Sequence, residues 1–307
     1  MKKINVLLLS VILFTALGMI GCSDDDDDNL PKSETIVDVA KSNAQFSTLV
    51  QALSLTGLDK ALENKNVSFT VFAPTNAAFA SLLTELKVAS LNDIPKETLT
   101  NVLLYHVLDD SKMAASINTG YFKTLAKGAG NETKLSMYID MSSTTINKRA
   151  KITATDVKAD NGVIHAIDKV LLPLSVVDIA VNNPSFTLLV QALTKAELVS
   201  TLQEDGPYTV FAPTDDAFKA LFKLLGVSGI NELSKEALTP ILLSHVVGGN
   251  VTSGQLSNGD VQTLNPAKKV AINITGEVTI DGDIKVVLTD VQGSNGVVHV
   301  IDKVILP

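Results

Sequence analysis

Hydrophobic residues recur first at helical spacing and later at strand spacing. Up to residue 105, apolar positions fall three or four apart, as in Phe46, Leu49 and Leu53. This spacing predicts helices over 35–43, 46–55, 58–64, 75–86 and 96–105. One β-branched apolar run, 68–73, is typical of a buried strand. From Tyr121 onward the pattern alternates or is β-branched, and it predicts strands over 135–139, 144–146, 151–157 and 163–172.

The chain contains this order of elements twice. Thr-Val-Phe-Ala-Pro-Thr occupies 70–75 and again 209–214, and the closing block 161–173 recurs at 295–307. In both junctions the proline ends a strand, because it has no N–H to donate, and the next threonine is expected to cap a helix. Two copies of about 140 residues indicate tandem domains rather than a solenoid of short repeats.

Two local differences between the copies lead to further expectations. The first copy has about five more residues between its two histidines, which we place in the glycine-rich segment 127–133. In the second copy, Asp281-Gly282 between two strand patterns predicts a two-residue type I′ hairpin turn. A calcium site at Asp281 and Asp283 is the weaker interpretation, because the other spaced ligands of a calcium loop are missing.

These blocks resemble the fasciclin domain family. The Thr-Val-Phe-Ala-Pro-Thr junction, the pair Tyr105-His106 and the closing Asn-Gly-Val-Ile-His block follow one another in the family's order in both copies. One position departs from the pattern, since Ser244 stands where the first copy has Tyr105. The resemblance implies domains at 33–173 (domain 1) and 174–307 (domain 2), each a helical layer packed on a mainly antiparallel, β-sandwich-like wedge. Helices followed by strands independently indicate an α+β class.

The first 32 residues form a targeting segment. Lys2 and Lys3 precede an apolar run too short to span a membrane, which predicts a signal peptide over 1–21. Cys22, the only cysteine, follows directly and resembles the acylated cysteine of bacterial lipoproteins. The alternative is an ordinary signal peptide that ends near a cysteine. Five aspartates, 24–28, make the rest of 22–32 a solvated acidic tether, which also resembles a surface-export signal of some Gram-negative lipoproteins.

Composition narrows the function. The net charge is −8, and Arg149 is the only arginine, so we expect no nucleic-acid binding. The absence of tryptophan argues against a sugar site built on aromatic platforms.

All four histidines, His106, His165, His245 and His299, occupy repeated positions in apolar runs. Their wide spacing, without cysteine, predicts neither a metal site nor a cofactor site, and no nucleophile motif indicates an enzyme. We expect buried neutral imidazoles, with His106 and His165 near each other or near a shared backbone group. Asp168 and Asp302, at strand ends, are expected to fix turns or to pair with the lysines that follow them.

The resemblance implies adhesion or ligand binding without catalysis, by a protein anchored in the membrane through lipid on Cys22. Animal members bind receptors near the Tyr-His pair, which points to Tyr105, His106 and His245 as a partner-binding region. A protein or glycan ligand is expected outside the cell, at the surface of the outer membrane. The alternatives are a glycan- or solute-binding accessory protein of an uptake system, and an orientation facing the periplasm. The sequence leaves the oligomeric state open.

Overall fold

A computed structural model describes residues 34–130, 133–204 and 206–307. The chain divides into two units, Met1–Ser33 and Glu34–Pro307. The predicted signal peptide, Cys22 and the acidic tether lie outside the described residues, so they stay predictions. In the described part, no single helix is both long and apolar enough to cross a membrane, and only the bent pair Val176–Asn182 and Pro184–Lys195 meets that test jointly.

Each domain has five α-helices, with its first strand between the third and the fourth, and polar side chains cap the start of several of them. Thr35 and Thr75 accept hydrogen bonds from the N–H groups of Asp38 and Ala78, and Gly57 ends a helix at a φ of 79°. The predicted helices are therefore confirmed to within a few residues at each end. The helices are α1 Ile36–Ser42, α2 Ser47–Thr56, α3 Asp59–Leu62, α4 Asn76–Leu86, α5 Lys96–Leu104, α6 Val176–Asn182, α7 Thr187–Lys195, α8 Val199–Gln203, α9 Asp215–Leu225 and α10 Lys235–Leu243.

Each domain then forms a seven-stranded mixed sheet. The strands are β1 Phe69–Pro74, β2 Val107–Leu108, β3 Gly120–Lys127, β4 Lys134–Asp140, β5 Thr145–Ile146, β6 Ala150–Ala159, β7 Gly162–Ile167, β8 Tyr208–Pro213, β9 Val246–Gly248, β10 Gly259–Gln262, β11 Lys269–Asn273, β12 Thr279–Ile280, β13 Ile284–Gly293 and β14 Gly296–Ile301. The order is β2-β1-β7-β6-β5-β4-β3 in domain 1, and the same in domain 2. Among the strands of residues 34–307 that the structure describes, only β1 with β7, and β8 with β14, run parallel.

Each domain has two hydrophobic clusters. In domain 1 one cluster lies between the helices and the β1–β7 strands and includes Phe46, Phe79 and Leu103. The other is formed largely by strand residues, including Phe72, Met137 and Ile146. Domain 2 has the corresponding pair of clusters. This arrangement confirms the predicted α+β class with a helical layer on a mainly antiparallel sheet.

The prediction of a two-residue turn at Asp281-Gly282 is wrong, because the loop is one residue longer. Ile280 pairs with Ile284, which leaves a three-residue loop with φ of 50° at Asp281 and 85° at Gly282. Asp281 instead pairs across to β11, where its N–H donates to the Ala271 carbonyl at 2.8 Å and its carboxylate accepts from the Ala271 N–H at 2.9 Å. Those two bonds pull Asp281 out of the hairpin ladder.

The extra residues of domain 1 lie in the β3–β4 hairpin, as the sequence predicts. Gly120 pairs with Ile139 in domain 1, whereas the equivalent Gly259 pairs with Ile272, six positions closer along the chain. The next turn is one residue shorter in domain 1, since Ile139 pairs with Ile146 but Ile272 pairs with Ile280.

The long hairpin of domain 1 packs on domain 2. Tyr121 on β3 donates to the Ile179 carbonyl at 3.1 Å, and Ser136 Oγ on β4 accepts from the Gln292 N–H at 3.0 Å. The Gln292 amide is 2% exposed and donates to Asn250 Oδ1 at 2.7 Å. The contact is therefore partly polar and well bonded.

We expect fragments 33–173 and 174–307 each to unfold in one cooperative transition, because each domain contains its own pair of hydrophobic clusters. Urea unfolding followed by circular dichroism measures this, with the intact chain as the control. The shared hairpin contact should make the intact chain more stable than the weaker fragment. A fragment without a transition would show that the two domains form one folding unit.

Candidate functional site

Tyr105 ends α5 and is fully buried beside the domain interface. Its hydroxyl donates to the Ser136 carbonyl at 2.8 Å and accepts from the Asn147 amide at 3.0 Å. Burial raises the pKa of Tyr105 well above its ordinary value, so the phenol stays neutral. Because Ser136 also bonds Gln292 of domain 2, Tyr105 lies one residue away from the contact between the domains.

His106, the next residue, joins α5 to the segment after β7. The Leu171 N–H donates to its Nε2 at 2.8 Å, so Nδ1 carries the proton and donates to the Val102 carbonyl at 2.7 Å. Burial lowers the pKa of His106 to about 4. The imidazole borders an internal cavity of only about 20 Å³, which is too small for anything larger than a single water.

His245 repeats this arrangement in domain 2. Its Nε2 accepts from the Ile305 N–H at 2.9 Å, and its Nδ1 donates to the Ile241 carbonyl at 2.8 Å. Burial also lowers its pKa to about 4. The predicted meeting of helix end and closing segment is therefore present in both domains.

His165 and His299 lie on the closing strands β7 and β14. Nε2 of His165 donates to the Lys112 carbonyl at 2.9 Å, and Nδ1 accepts from the Asp156 N–H at 3.3 Å. His299 makes the equivalent bonds to Val251, at 2.9 Å, and from Asp290, at 3.4 Å. Burial lowers the pKa of His299. Both rings are fully buried, so they join the closing strand to the adjacent strand and to a loop rather than face a ligand.

His106 and His165 do not bond each other, but Phe72 on β1 contacts both. The Phe72 N–H donates to the His106 carbonyl at 2.9 Å. Its ring stacks on His165 with centroids 5.5 Å apart, because β1 and β7 place the two residues opposite one another. The prediction of a shared backbone group is therefore wrong, since each ring bonds its own two backbone groups, and Phe72 is a neighbour of both residues through its N–H on one side and its ring on the other.

Asp168 and Asp302 bond the adjacent strand rather than fix a turn. Each carboxylate accepts from the N–H of a residue on the adjacent strand at 2.7 Å, Lys151 for Asp168 and Lys285 for Asp302. Pairing of Asp302 with Lys303, the other expectation, does not occur, because Lys303 reaches Asp283 instead at 2.8 Å.

Ser244 changes the site in domain 2. Its hydroxyl donates to the Pro240 carbonyl at 2.8 Å and accepts from the Asn265 amide at 3.0 Å. Asn265 belongs to the short hairpin loop of domain 2 and is itself buried. A side-chain amide from that loop therefore meets the hydroxyl in domain 2, whereas in domain 1 the phenol reaches across to β4.

A polar cleft of about 590 Å³ lies between the two domains, and sequence reasoning missed it. Lys123 and Lys134 line one side and Asp290 and Gln292 the other, together with Thr252. Although burial opposes it, hydrogen bonds from Ser253 hold the pKa of Asp290 below its usual range, so its carboxylate is charged. The one sequence signal for this cleft is the longer hairpin of domain 1, whose residues form one wall.

The described residues contain no group of three or more His, Cys, Asp or Glu side chains that could hold a metal ion. Within the same residues, every buried side-chain nitrogen or oxygen has a hydrogen-bond partner. The site thus consists of polar side chains that hold backbone segments together, beside an open cleft.

The family model described as Fasciclin domain matches residues 44–173 and 184–307. The chain belongs to the fasciclin domain family. Protein sll1483 of Synechocystis sp. is 41% identical over 134 residues, which is 44% of this chain and 74% of that protein.

Transforming growth factor-beta-induced protein ig-h3 of Sus scrofa is 29% identical over 249 residues, covering 78% of this fasciclin-domain chain. The match spans only 35% of the ig-h3 protein itself. A FAS1 domain pair from the insect cell adhesion molecule Fasciclin I aligns with a TM-score of 0.49 and 18% identity, covering 88% of this chain and 96% of that one.

Acid should destabilise both fasciclin domains through His106 and His245. Their pKa values fall from 6.5 to about 4 on folding, so the unfolded chain binds protons first as pH drops. The stabilisation is complete above pH 6.5 and is lost towards pH 4, by at most about 3 kcal/mol for each histidine. Urea unfolding at pH 7 and pH 5 measures the loss.

The matched variant is His106→Gln with His245→Gln, whose amides do not titrate. We expect it to be less stable at pH 7 by roughly 1–3 kcal/mol for each site, but to lose less stability between pH 7 and pH 5 than the native chain. Equal losses in both proteins would assign the acid sensitivity to other groups.

Proposed function

We propose that this chain is a non-catalytic adhesion or ligand-binding protein, held outside the cytoplasm by a lipid on Cys22. Its two fasciclin domains present a rigid surface to an extracellular protein or glycan. The outer face of the outer membrane is the proposed location, with the acidic tether of residues 24–28 keeping the domains away from the lipid. An orientation facing the periplasm is the alternative.

The observation that carries this proposal is how the buried polar groups are used. Each of the four histidines has both ring nitrogens bonded to backbone atoms, and the Tyr105 hydroxyl is bonded as well. A catalytic base or nucleophile needs a free atom facing a substrate. The space beside His106 and His245 is only about 20 Å³ in each domain. The geometry of these side chains therefore supports a ligand-binding role better than a catalytic one.

We place one partner-binding surface next to the Tyr-His pair of domain 1. Tyr105, His106 and His245 are at most 2% exposed, so their side chains shape this region from inside instead of touching a partner. In domain 1 the adjoining exposed residues are Asp109 and Asp110. The two carboxylates form ion pairs with lysines at 2.7 and 2.6 Å, and the equivalent residues of domain 2 are glycines, so domain 1 presents ion pairs where domain 2 presents uncharged backbone.

A second candidate function, glycan or solute binding, is favoured by the cleft between the domains. Its volume of about 590 Å³ suits a small saccharide, and its lining offers ammonium, carboxylate, hydroxyl and amide groups. Lys123 has no ion-pair partner among the described residues, and it lies close enough to Asp290 to lower that carboxyl's pKa. These paired donors and acceptors suit a polyhydroxylated ligand.

Replacing Cys22 with serine should release the protein from the membrane or block its processing, because serine cannot accept the thioether-linked lipid. Membrane fractionation of cells with the native chain or the Cys22→Ser variant measures this, together with the mass of the mature N-terminus. A processed, unlipidated variant that still sediments with membranes would contradict lipid anchoring.

Binding to arrays of polysaccharides and of extracellular proteins separates the two functions. If the cleft holds a glycan, Lys123→Ser should weaken glycan binding about tenfold, as expected for loss of one charged contact. The matched control is Lys158→Ser, which removes an exposed lysine on β6 from the position equivalent to Gln292. Protein binding that both variants retain, without glycan binding, would favour adhesion through another surface.

A further inference from the structure

The two domains differ at a groove between a long helix and the closing segment. In domain 2 the groove lies between α9 and the residues after β14 and has a volume of about 330 Å³. Leu221, Leu224 and Val304 form apolar walls, and the charged lining includes two ion pairs, Lys268–Asp281 and Lys303–Asp283. Leu224 is 72% exposed, which leaves apolar surface open to solvent.

In domain 1 the chain fills the equivalent place with its own arginine. Arg149 Nε donates to the Val170 carbonyl at 3.1 Å, and Nη2 donates to Glu85 at 2.5 Å. The hydrogen bond from Arg149 lowers the pKa of Glu85, so the pair is ionic. Arg149 is the only arginine among 25 basic residues. The planar guanidinium of this arginine bonds a carbonyl and a carboxylate at the same time, which a lysine ammonium is less suited to do.

Domain 2 lacks the equivalents of Arg149 and Glu85 but retains the backbone carbonyl that Arg149 bonds in domain 1. By the spacing of the repeat, Leu224 replaces Glu85 and Asp283 replaces Arg149, while Val304 corresponds to Val170. Within the described part of the chain, the Val304 carbonyl accepts no hydrogen bond. The carboxylate has moved from the helix to the loop, and the cations of the groove are now lysines that already pair with carboxylates.

We propose that the groove of domain 2 binds an arginine side chain presented by a protein partner. The guanidinium takes the Val304 carbonyl and the Asp283 carboxylate, and the methylene stem covers Leu224. Asp283 is available for this because its pair with Lys303 is exposed, with 71% of the Asp283 side chain accessible, and exposed pairs contribute little. The groove is separate from the cleft between the domains, so either proposal stands if the other fails.

Acetyl-arginine amide is the probe, measured against the full chain by saturation-transfer NMR. We expect a dissociation constant on the order of 1 mM for a ligand of this size. Acetyl-lysine amide and acetyl-leucine amide should bind at least about fivefold more weakly, since each lacks either the fork or the charge. Equal or tighter binding of either one overturns the proposal, and with leucine amide the groove would be assigned to an apolar side chain instead.

The domains supply their own matched variants. Leu224→Glu with Asp283→Arg rebuilds the closed groove of domain 1 in domain 2, and it should abolish binding of the arginine probe. The reverse pair in domain 1, Glu85→Leu with Arg149→Asp, should open a second groove and double the number of sites. Thermal melting checks that both variants fold. Unchanged probe binding by a folded Leu224→Glu/Asp283→Arg variant would place the arginine elsewhere and overturn the proposal.

Discussion

Each domain is closed by a hydrogen bond that exists only while a histidine is neutral. The N–H groups of Leu171 and Ile305 donate to Nε2 of His106 and His245. Protonation turns Nε2 into a donor, so it could no longer accept the backbone N–H and the hydrogen bond would be lost. The same two histidines accept, through their carbonyls, the N–H groups of Phe72 and Phe211. One residue thus joins the last helix, the first strand and the closing segment, which are distant in sequence. Because burial disfavours the charged imidazole, the fold and the protonation state support one another.

Because the chain contains two copies of one domain, domain 1 and domain 2 can be compared directly. The same backbone plan accommodates a buried tyrosine in domain 1 and a serine met by Asn265 in domain 2. It accommodates a long hairpin in one copy and a short one in the other, and the long one provides the contact with the next domain. One of these differences lies at the end of α5 and the other in the β3–β4 hairpin, while the parallel pair β1–β7 and its equivalent keep the same register. A difference in ligand binding between the two domains is therefore expected at these positions, where their residues differ.

The apolar run around His165 in the sequence indicated correctly that its imidazole is buried, since every residue of β7 is buried. The same reasoning could not show that Tyr105 is inside and bonded to Ser136. A residue at a helix end has no periodic neighbour that fixes its direction, and the β4 strand that covers it begins about 30 residues later. Nor could the sequence reveal the cleft between the domains, because its two walls come from segments more than 100 residues apart.

The sequence by itself determined the repeat, the order of helices and strands, the caps and the class of fold. Each depends on interactions within a few residues, which side-chain spacing and backbone chemistry encode directly. It also located the inserted residues, because two copies can be aligned. Only the tertiary structure decided which atoms each buried imidazole bonds, why Asp281 leaves its hairpin for Ala271, and that Arg149 fills a groove left open in domain 2. Those contacts depend on which distant segment packs beside each side chain, and the local sequence around a residue does not specify that segment.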